Sequence, residues 1–253
     1  MNFDISHLLE QWEYQPGQVV VRRFVGKDGT EKIQLRVDLG LLQMNAHGRP
    51  DGKRPYGHPT LLEHYQGKIR QFAQKHEGSD KRFVLKAEDC SKLQLEALQY
   101  HHRYICLLQL EDYAAVVRDT ERNLKLFDFV EEHADSEDLS WSLQQFRPQV
   151  LMIDTRARAT MKLQKEDFPT AIREIEAGLE RLREFYRRHS RQDLIDQSAE
   201  IQALEHWLEE VTSRRPLTKR EQLENDLHEA VKKEDYEKAA RVRDALKNLK
   251  ASD

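Results

Sequence analysis

Basic, histidine and aromatic residues gather in one short stretch, His47–His58, where Arg49, Lys53 and Arg54 stand among His47, Tyr56 and His58. Guanidinium and ammonium groups there could grip a phosphate or an acidic partner segment through charge-assisted hydrogen bonds. The competing reading is an extended, proline-braced connector whose charges keep it soluble. A nucleotide loop is excluded: Gly48-Arg49-Pro50-Asp51-Gly52-Lys53-Arg54 has one residue too few between its glycines, and Arg follows the Lys. Other chemistry is sparse. His102 and Cys106 share a helix face, with His101 beside them and Cys90 one segment earlier, but a metal site needs two further oriented ligands. A buried Cys and a surface His are the simpler assignment. Glu-x-x-His, His-Glu-x-x-His and Gly-x-Ser-x-Gly are all missing from the sequence. The expectation is no enzyme, no metal and no cofactor, unless a pocket at the head–body junction gathers His and carboxylate groups.

The elements that must position these groups are unevenly distributed. Of ten glycines in 253 residues, nine lie at or before Gly78 and only Gly178 follows; four of the seven prolines also lie in that front section. A turn-rich head therefore joins a long body nearly free of backbone breakers. No run approaches the roughly 18 apolar residues that span a bilayer, and the opening MNFDISHLLEQW lacks the pattern of a secretory signal. With two cysteines only, a reducing cytoplasm and no membrane are expected. Net charge is −4, split as +1 over residues 1–60, −2 over 61–134, −3 over 135–216 and 0 over 217–253. Proteins that bind nucleic acid through phosphate neutralisation need a basic excess that no segment here has. The densest arginines, Arg181, Arg183, Arg187, Arg188 and Arg191, are interleaved with Glu180, Glu184 and Asp193, the pattern of an ion-paired helix face.

Residues 18–25 and 31–38 flank the turn Gly26-Lys27-Asp28-Gly29-Thr30, and Ile33, Leu35 and Val37 alternate with Gln34, Arg36 and Asp38. This predicts a β-hairpin with a half-buried second strand, which must pack on something. Leu39 to Met44 either extends that strand or begins a short helix. Three glycines and three prolines over residues 45–60 then exclude helix and central strand. From Thr60 the period becomes helical. The first stripe is Leu62, Tyr65, Ile69, Phe72 and His76, and the next, over Ala87–Leu110, is Leu93, Ala97, Tyr100, Tyr104 and Leu107. From Tyr113 it is Tyr113, Val117, Thr120, Leu124 and Phe127; from Pro148, Val150, Ile153, Ala157 and Met161. Phe168 onward gives Ile172, Ile175, Leu179, Leu182 and Tyr186, and Gln192–Val211 gives Leu194, Ser198, Ile201, Leu204 and Leu208. Thr212–Pro216 reads as a linker before a final helical pair.

One pattern occurs three times: Glu111-Asp112-Tyr113, Glu166-Asp167-Phe168 and Glu234-Asp235-Tyr236, each followed three positions later by a small or β-branched apolar residue. It reads as a helix–turn–helix joint in which Asp caps the second helix and complements its dipole. Three unrelated hairpins converging on the same turn chemistry is the alternative. The first two copies resemble the joint of tetratricopeptide repeats, although their Asp residues are 55 positions apart and Glu replaces the usual glycine before the joint. A concave face in such a body is expected to take a peptide or helix of another protein.

The third copy lies within Leu217–Lys250, LTKREQLENDLHEAVKKEDYEKAARVRDALKNLK. This segment resembles the UVR motif shared by the bacterial excision-repair subunits UvrB and UvrC, with Leu223, Leu227, Ala230, the Glu234–Glu237 joint, Ala239, Ala240, Arg243, Asp244 and Leu246 in the motif's places. The residues themselves predict an antiparallel hairpin with stripes Leu223, Leu227, Ala230, Val231 and Ala239, Val242, Leu246, Leu249. So small a unit buries little surface and gains from a partner. The resemblance implies protein association, with Tyr236 as packing anchor and Arg243 and Asp244 orienting a paired hairpin. Docking on the chain's own helices is the other reading. Nuclease and helicase domains of the repair subunits, and the paired Cys-x-x-Cys sites of the arginine-kinase activator, have no counterpart here.

The expected protein is mostly α, with a β-hairpin head and basic loop (1–59), a repeat-like antiparallel α-helical body (60–211) and a linker with a UVR hairpin (212–253). Its expected function is that of a cytoplasmic, bacterial, non-enzymatic adaptor that recruits a protein through Leu223, Leu227, Tyr236, Ala239, Ala240, Arg243, Asp244 and Leu246. The alternative is a nucleic-acid-associated repair accessory. Self-association through the hairpin, and contact with phosphate or an acidic partner through Arg49, Lys53 and Arg54, complete the expected partners.

Overall fold

The computed structural model describes residues 4–15, 17–76, 83–217 and 219–250, the side chains of 248–250 excepted. Two compact units are present, Met1–Leu208 and Glu209–Asp253.

In the first unit a short helix α1 (Ser6–Glu10) precedes strands β1 (Val20–Val25), β2 (Glu31–Val37) and β3 (Gly40–Asn45). The strands form an antiparallel sheet in the order β1-β2-β3. The expected hairpin is thus part of a three-stranded meander: the chain turns at Asp38-Leu39, and Leu42 and Met44 pair with Leu35 and Ile33. A third strand relieves the marginal stability of two. It also makes β2 central, and β2 has buried side chains on both faces, so the half-buried reading is corrected. Ile33 is fully buried, and Gln34 and Arg36 are buried as well. Gln34 accepts a hydrogen bond from Arg22 Nε and donates one to Gln43, both at 2.7 Å, while the Arg36 guanidinium lies over the Tyr14 ring.

Helices follow: α2 (Leu61–Lys75), α3 (Ala87–Gln109), α4 (Tyr113–His133), α5 (Glu137–Gln144), α6 (Arg147–Leu163), α7 (Phe168–Arg188) and α8 (Ala199–Arg214). Thr60 caps α2, its hydroxyl accepting from the Glu63 amide at 3.2 Å. The stripes of α3 and α7 are buried as expected, except that Ile172 is not fully covered. In α4 the buried set is shifted. Val116, Leu126 and Val130 are inside, with polar Asp119, Thr120 and Asn123, because α4 packs against both α3 and α6. Helix α8 begins seven residues later than expected. Ser190, at φ +55°, ends the preceding helix, and the Ser198 hydroxyl accepts from the Ile201 amide to start α8. Helix α8 also runs through Thr212–Arg214, where a linker was expected. The head is no separate body: Ile33, Met44 and Ala46 share one core with Leu62, Leu93 and Val116.

The second unit contains α9 (Lys219–Lys232) and α10 (Tyr236–Lys250), packed against each other as a hairpin. Its joint and the two in the body have one backbone design. Glu111, Glu166 and Glu234 adopt left-handed φ of +56°, +58° and +56°. The amides of Asp112, Asp167 and Asp235 donate back to Leu107, Lys162 and Ala230 at 3.0, 3.0 and 2.9 Å. Each Asp then accepts from an amide three residues on, in Ala115, Thr170 and Lys238, at 3.2, 3.2 and 3.0 Å. One turn thus closes the last helix and caps the next.

Glutamate has a Cβ that opposes the left-handed region, where glycine has none. Glu111→Gly and Glu166→Gly are each expected to raise stability by about 0.5–1 kcal/mol in urea denaturation. Gly178 has the opposite constraint. A Cβ there would lie 2.2 Å from Thr155 Oγ1 of α6. Gly178→Ala should therefore lower stability by about 1–3 kcal/mol through overpacking, against the roughly 1 kcal/mol gain that helix propensity alone forecasts. Denaturation of that one variant decides between the two.

Candidate partner-binding site

The hairpin α9–α10 closes on a narrow seam. Leu223 and Ala230 are buried, and Leu227, Ala239, Val242 and Leu246 are half-buried. The other candidates from the sequence are outside it. Tyr236 is 70% exposed, and Ala240 is exposed. Val231, expected in the seam, is also exposed, since it follows Ala230 around the helix. Arg243 and Asp244 are exposed and paired with each other at 3.0 Å. Leu249 lies where side chains are not described. Tyr236 at the start of α10 and Val231 near the end of α9 are thus uncovered, and the Arg243–Asp244 pair lies about two turns further along α10.

The basic loop is built differently from its expectation. It is a strap held down by α3 and α4. Arg103 Nη1 donates to the carbonyls of Asn45 and Gly48 at 2.9 and 2.7 Å, and Arg118 Nη2 donates to that of Ala46 at 3.1 Å. Gln99 donates to Asp51 at 3.3 Å. Arg49 points inward: its side chain is 11% exposed, and Nε lies 3.2 Å from Asp51 and 3.3 Å from Glu96, which is itself fully buried. Arg122 pairs with the other oxygen of Glu96, and the Leu61 amide donates to Glu96 at 2.8 Å. Arg49 is thereby committed inside the fold, whereas Lys53 and Arg54 are exposed. Buried charge needs partners, and the loop's Arg49 is one of them.

The remaining sequence candidates are also accounted for by the fold. Burial pushes the Cys106 thiol up to about 12 and raises that of Cys90, so neither is a thiolate near neutral pH. Among the described residues no group of three or more His, Cys, Asp and Glu side chains is placed to hold a metal ion. Arg183 pairs with Glu205, Arg187 with Glu180 and Glu184, Arg188 with Glu131, and Arg181 with buried Asp154. Arg191 lies over the Trp141 ring. Of the interleaved acids only Glu180 and Glu184 are used, both by Arg187; Arg181, Arg183 and Arg188 pair instead with acids of α6, α8 and α4.

Sequence reasoning missed a concavity among α3, α4, α5 and α6, rimmed by Leu95, Leu98 and Phe146. A signal was available: Leu95 and Leu98 fall off the core stripe of their own helix at a spacing of three.

A family model for the UvrB/uvrC motif matches residues 218–252, the span of the α9–α10 hairpin. No curated protein and no solved structure matches the chain. The protein is therefore a mainly helical one whose C-terminal hairpin is a UvrB/UvrC motif. No described helix is long and apolar enough to cross a membrane.

Two outcomes follow from the strap. Arg49→Ala should destabilise by about 1–3 kcal/mol, because Glu96 loses one of its buried partners. Lys53→Ala with Arg54→Ala should leave the melting temperature unchanged, so thermal scans of the two variants separate the strap's inner and outer cations. Acid stability adds a third. Burial of Asp112 raises its pKa, but the hydrogen bond from Arg23, the Ala115 amide and the charges of Arg23 and Arg118 outweigh it and hold the carboxyl below 3.8. A lowered folded pKa contributes stability that is present above the unfolded value and lost as pH falls through the folded one. Asp112→Asn should accordingly flatten the fall in stability below about pH 4, read from urea midpoints between neutral and acid pH.

Proposed function

We propose that the protein is a non-enzymatic adaptor that recruits a protein partner through its C-terminal hairpin. The single observation that carries this reading is the coincidence of the UvrB/UvrC motif with a hairpin whose tyrosine and valine are left uncovered. A two-helix unit that buries only Leu223 and Ala230 on its first helix has little core of its own, and apolar surface at its joint gains by being covered. Tyr236 supplies a large, rigid contact of the kind that dominates interfaces, and Arg243 and Asp244 supply charges that set the partner's orientation. The body contributes a second surface. A cytoplasmic, bacterial setting is part of the proposal, following the usual distribution of the motif. The alternative, a nucleic-acid-associated repair accessory, has less support, since the α7 arginines are already paired on the chain.

The test is affinity capture by the full chain from its native cells, with the partner identified by mass spectrometry and then purified. Tyr236→Ala and Arg243→Glu are expected to weaken that purified partner's binding about tenfold or more without moving the melting temperature. Equal binding by wild type and both variants would remove the hairpin from the interaction. Retention on DNA that weakens steeply with salt would favour the alternative.

A further inference from the structure

The three-stranded sheet has two edges, and the chain treats them differently. The strap closes the end of β3: the Asn45 amide donates to the Pro50 carbonyl at 2.8 Å, and the Asn45 carbonyl accepts from Arg103 Nη1. Strand β1 forms the other edge. The Gly26 amide donates to the Thr30 carbonyl at 2.8 Å and the Ala46 amide to that of Glu31 at 3.0 Å, which fixes the phase of the ladder. By the alternation of an antiparallel pair, Val20, Arg22 and Phe24 bond to β2, while the N–H and C=O groups of Val21, Arg23 and Val25 point away from it. Among the described residues no hydrogen bond reaches those outward groups. The edge lies open to solvent, with Val19 and Val25 39% and 69% exposed and Arg22 and Arg23 exposed as well.

A row of alternating donors and acceptors selects its occupant. A helix brings backbone groups that are already paired, and a small molecule does not repeat donors and acceptors at strand spacing. An added strand does both. A second copy of β1 fits poorly. Pairing the outward residues of two copies antiparallel along the strand centres the register on Arg22 or Arg23, and either centre sets an arginine opposite itself. Arg23 already has Asp112 and Glu31 at 2.7 and 3.5 Å. Arg22 has no carboxylate partner among the described residues: its Nε donates to Gln34, and its guanidinium lies 4.1 Å from the centre of the Trp12 ring. A carboxylate on a neighbouring strand, opposite Arg22, supplies the missing countercharge.

We propose that the open edge of β1 binds an extended, acidic segment of another protein as a fourth strand, through the backbone of Val21, Arg23 and Val25 and the charge of Arg22. The inference goes beyond the hairpin reading and does not depend on it. A phage-displayed library of random segments of about ten residues is panned on the full chain. The enriched sequences alternate β-branched or aromatic residues with others, carry Asp or Glu, and lack internal proline. A synthetic peptide of that sequence binds Arg22→Glu about tenfold or more weaker than wild type, and exchanging its acid for Lys restores binding to that variant. Methylating its backbone amides one at a time weakens binding to wild type about tenfold at every second residue and not between, because only alternate amides face β1. Its binding to Tyr236→Ala equals that to wild type, so this reading and the hairpin reading fail separately. No enrichment, an amide scan without the two-residue alternation, or equal binding to wild type and Arg22→Glu overturns the assignment. Displacement of the peptide by self-association of the chain gives the edge to a second copy and equally overturns it.

Discussion

The ion pair between Arg103 and Asp119 ties the first unit together. Both side chains are 1% exposed, and Nε and Nη2 of the arginine meet the two carboxylate oxygens at 2.6 and 2.8 Å. Removing charges from water costs several kcal/mol per ion, which only complete pairing and hydrogen bonding offset. The completion comes from elsewhere in the chain, since the third guanidinium nitrogen is satisfied by the carbonyls of Asn45 and Gly48. Strap, α3 and α4 therefore depend on one another. A second buried acid, Glu96, two turns earlier on α3, gathers Arg49, Arg122 and the Leu61 amide. These two centres fix a Gly/Pro-rich segment and unite sheet and helices in one core.

The same joint serves opposite ends in the two units. In the body, the Glu111–Asp112 and Glu166–Asp167 joints set up hairpins that cover each other, with α4 packed between α3 and α6. The third joint, at Glu234–Asp235, makes a hairpin whose turn remains open, with Tyr236 in solvent. A stacked copy buries its stripe and can even enclose polar groups such as Asp119 and Asn123. The C-terminal copy has two buried residues in its first helix. What differs is the neighbour: the body's copies are stacked on other helices, whereas the turn at Tyr236 is left uncovered. The concavity on the body follows from the same stacking, because α3 and α6 both rest on α4 and stay apart above it.

Local signals were legible in the residues themselves. The caps at Thr60, Asp112 and Asp167 act through atoms within three residues, and the core stripes of α3 and α7 reflect a periodicity that burial enforces wherever a helix packs on one side. Long-range effects were not legible. Nothing in the alternation of Ile33 to Asp38 reports that a third strand would make β2 central, or that Arg22 and Gln43 would meet Gln34 and Tyr14 would meet Arg36. Likewise, Arg49 has the same local chemistry as Lys53 and Arg54, and only the position of Glu96, on another helix, draws it inward.

By itself the sequence determined the helical body, the three joints and the hairpin motif at residues 218–252, because each is encoded in contacts close along the chain. The tertiary structure decided which charges are buried, that head and body share one core, and that a concavity opens beside α3. Those outcomes depend on pairs such as Arg103 with Gly48 and Arg49 with Glu96, separated by many residues, whose encounter no local pattern records. Burial is a property of the neighbours a residue meets, and only folding brings them together.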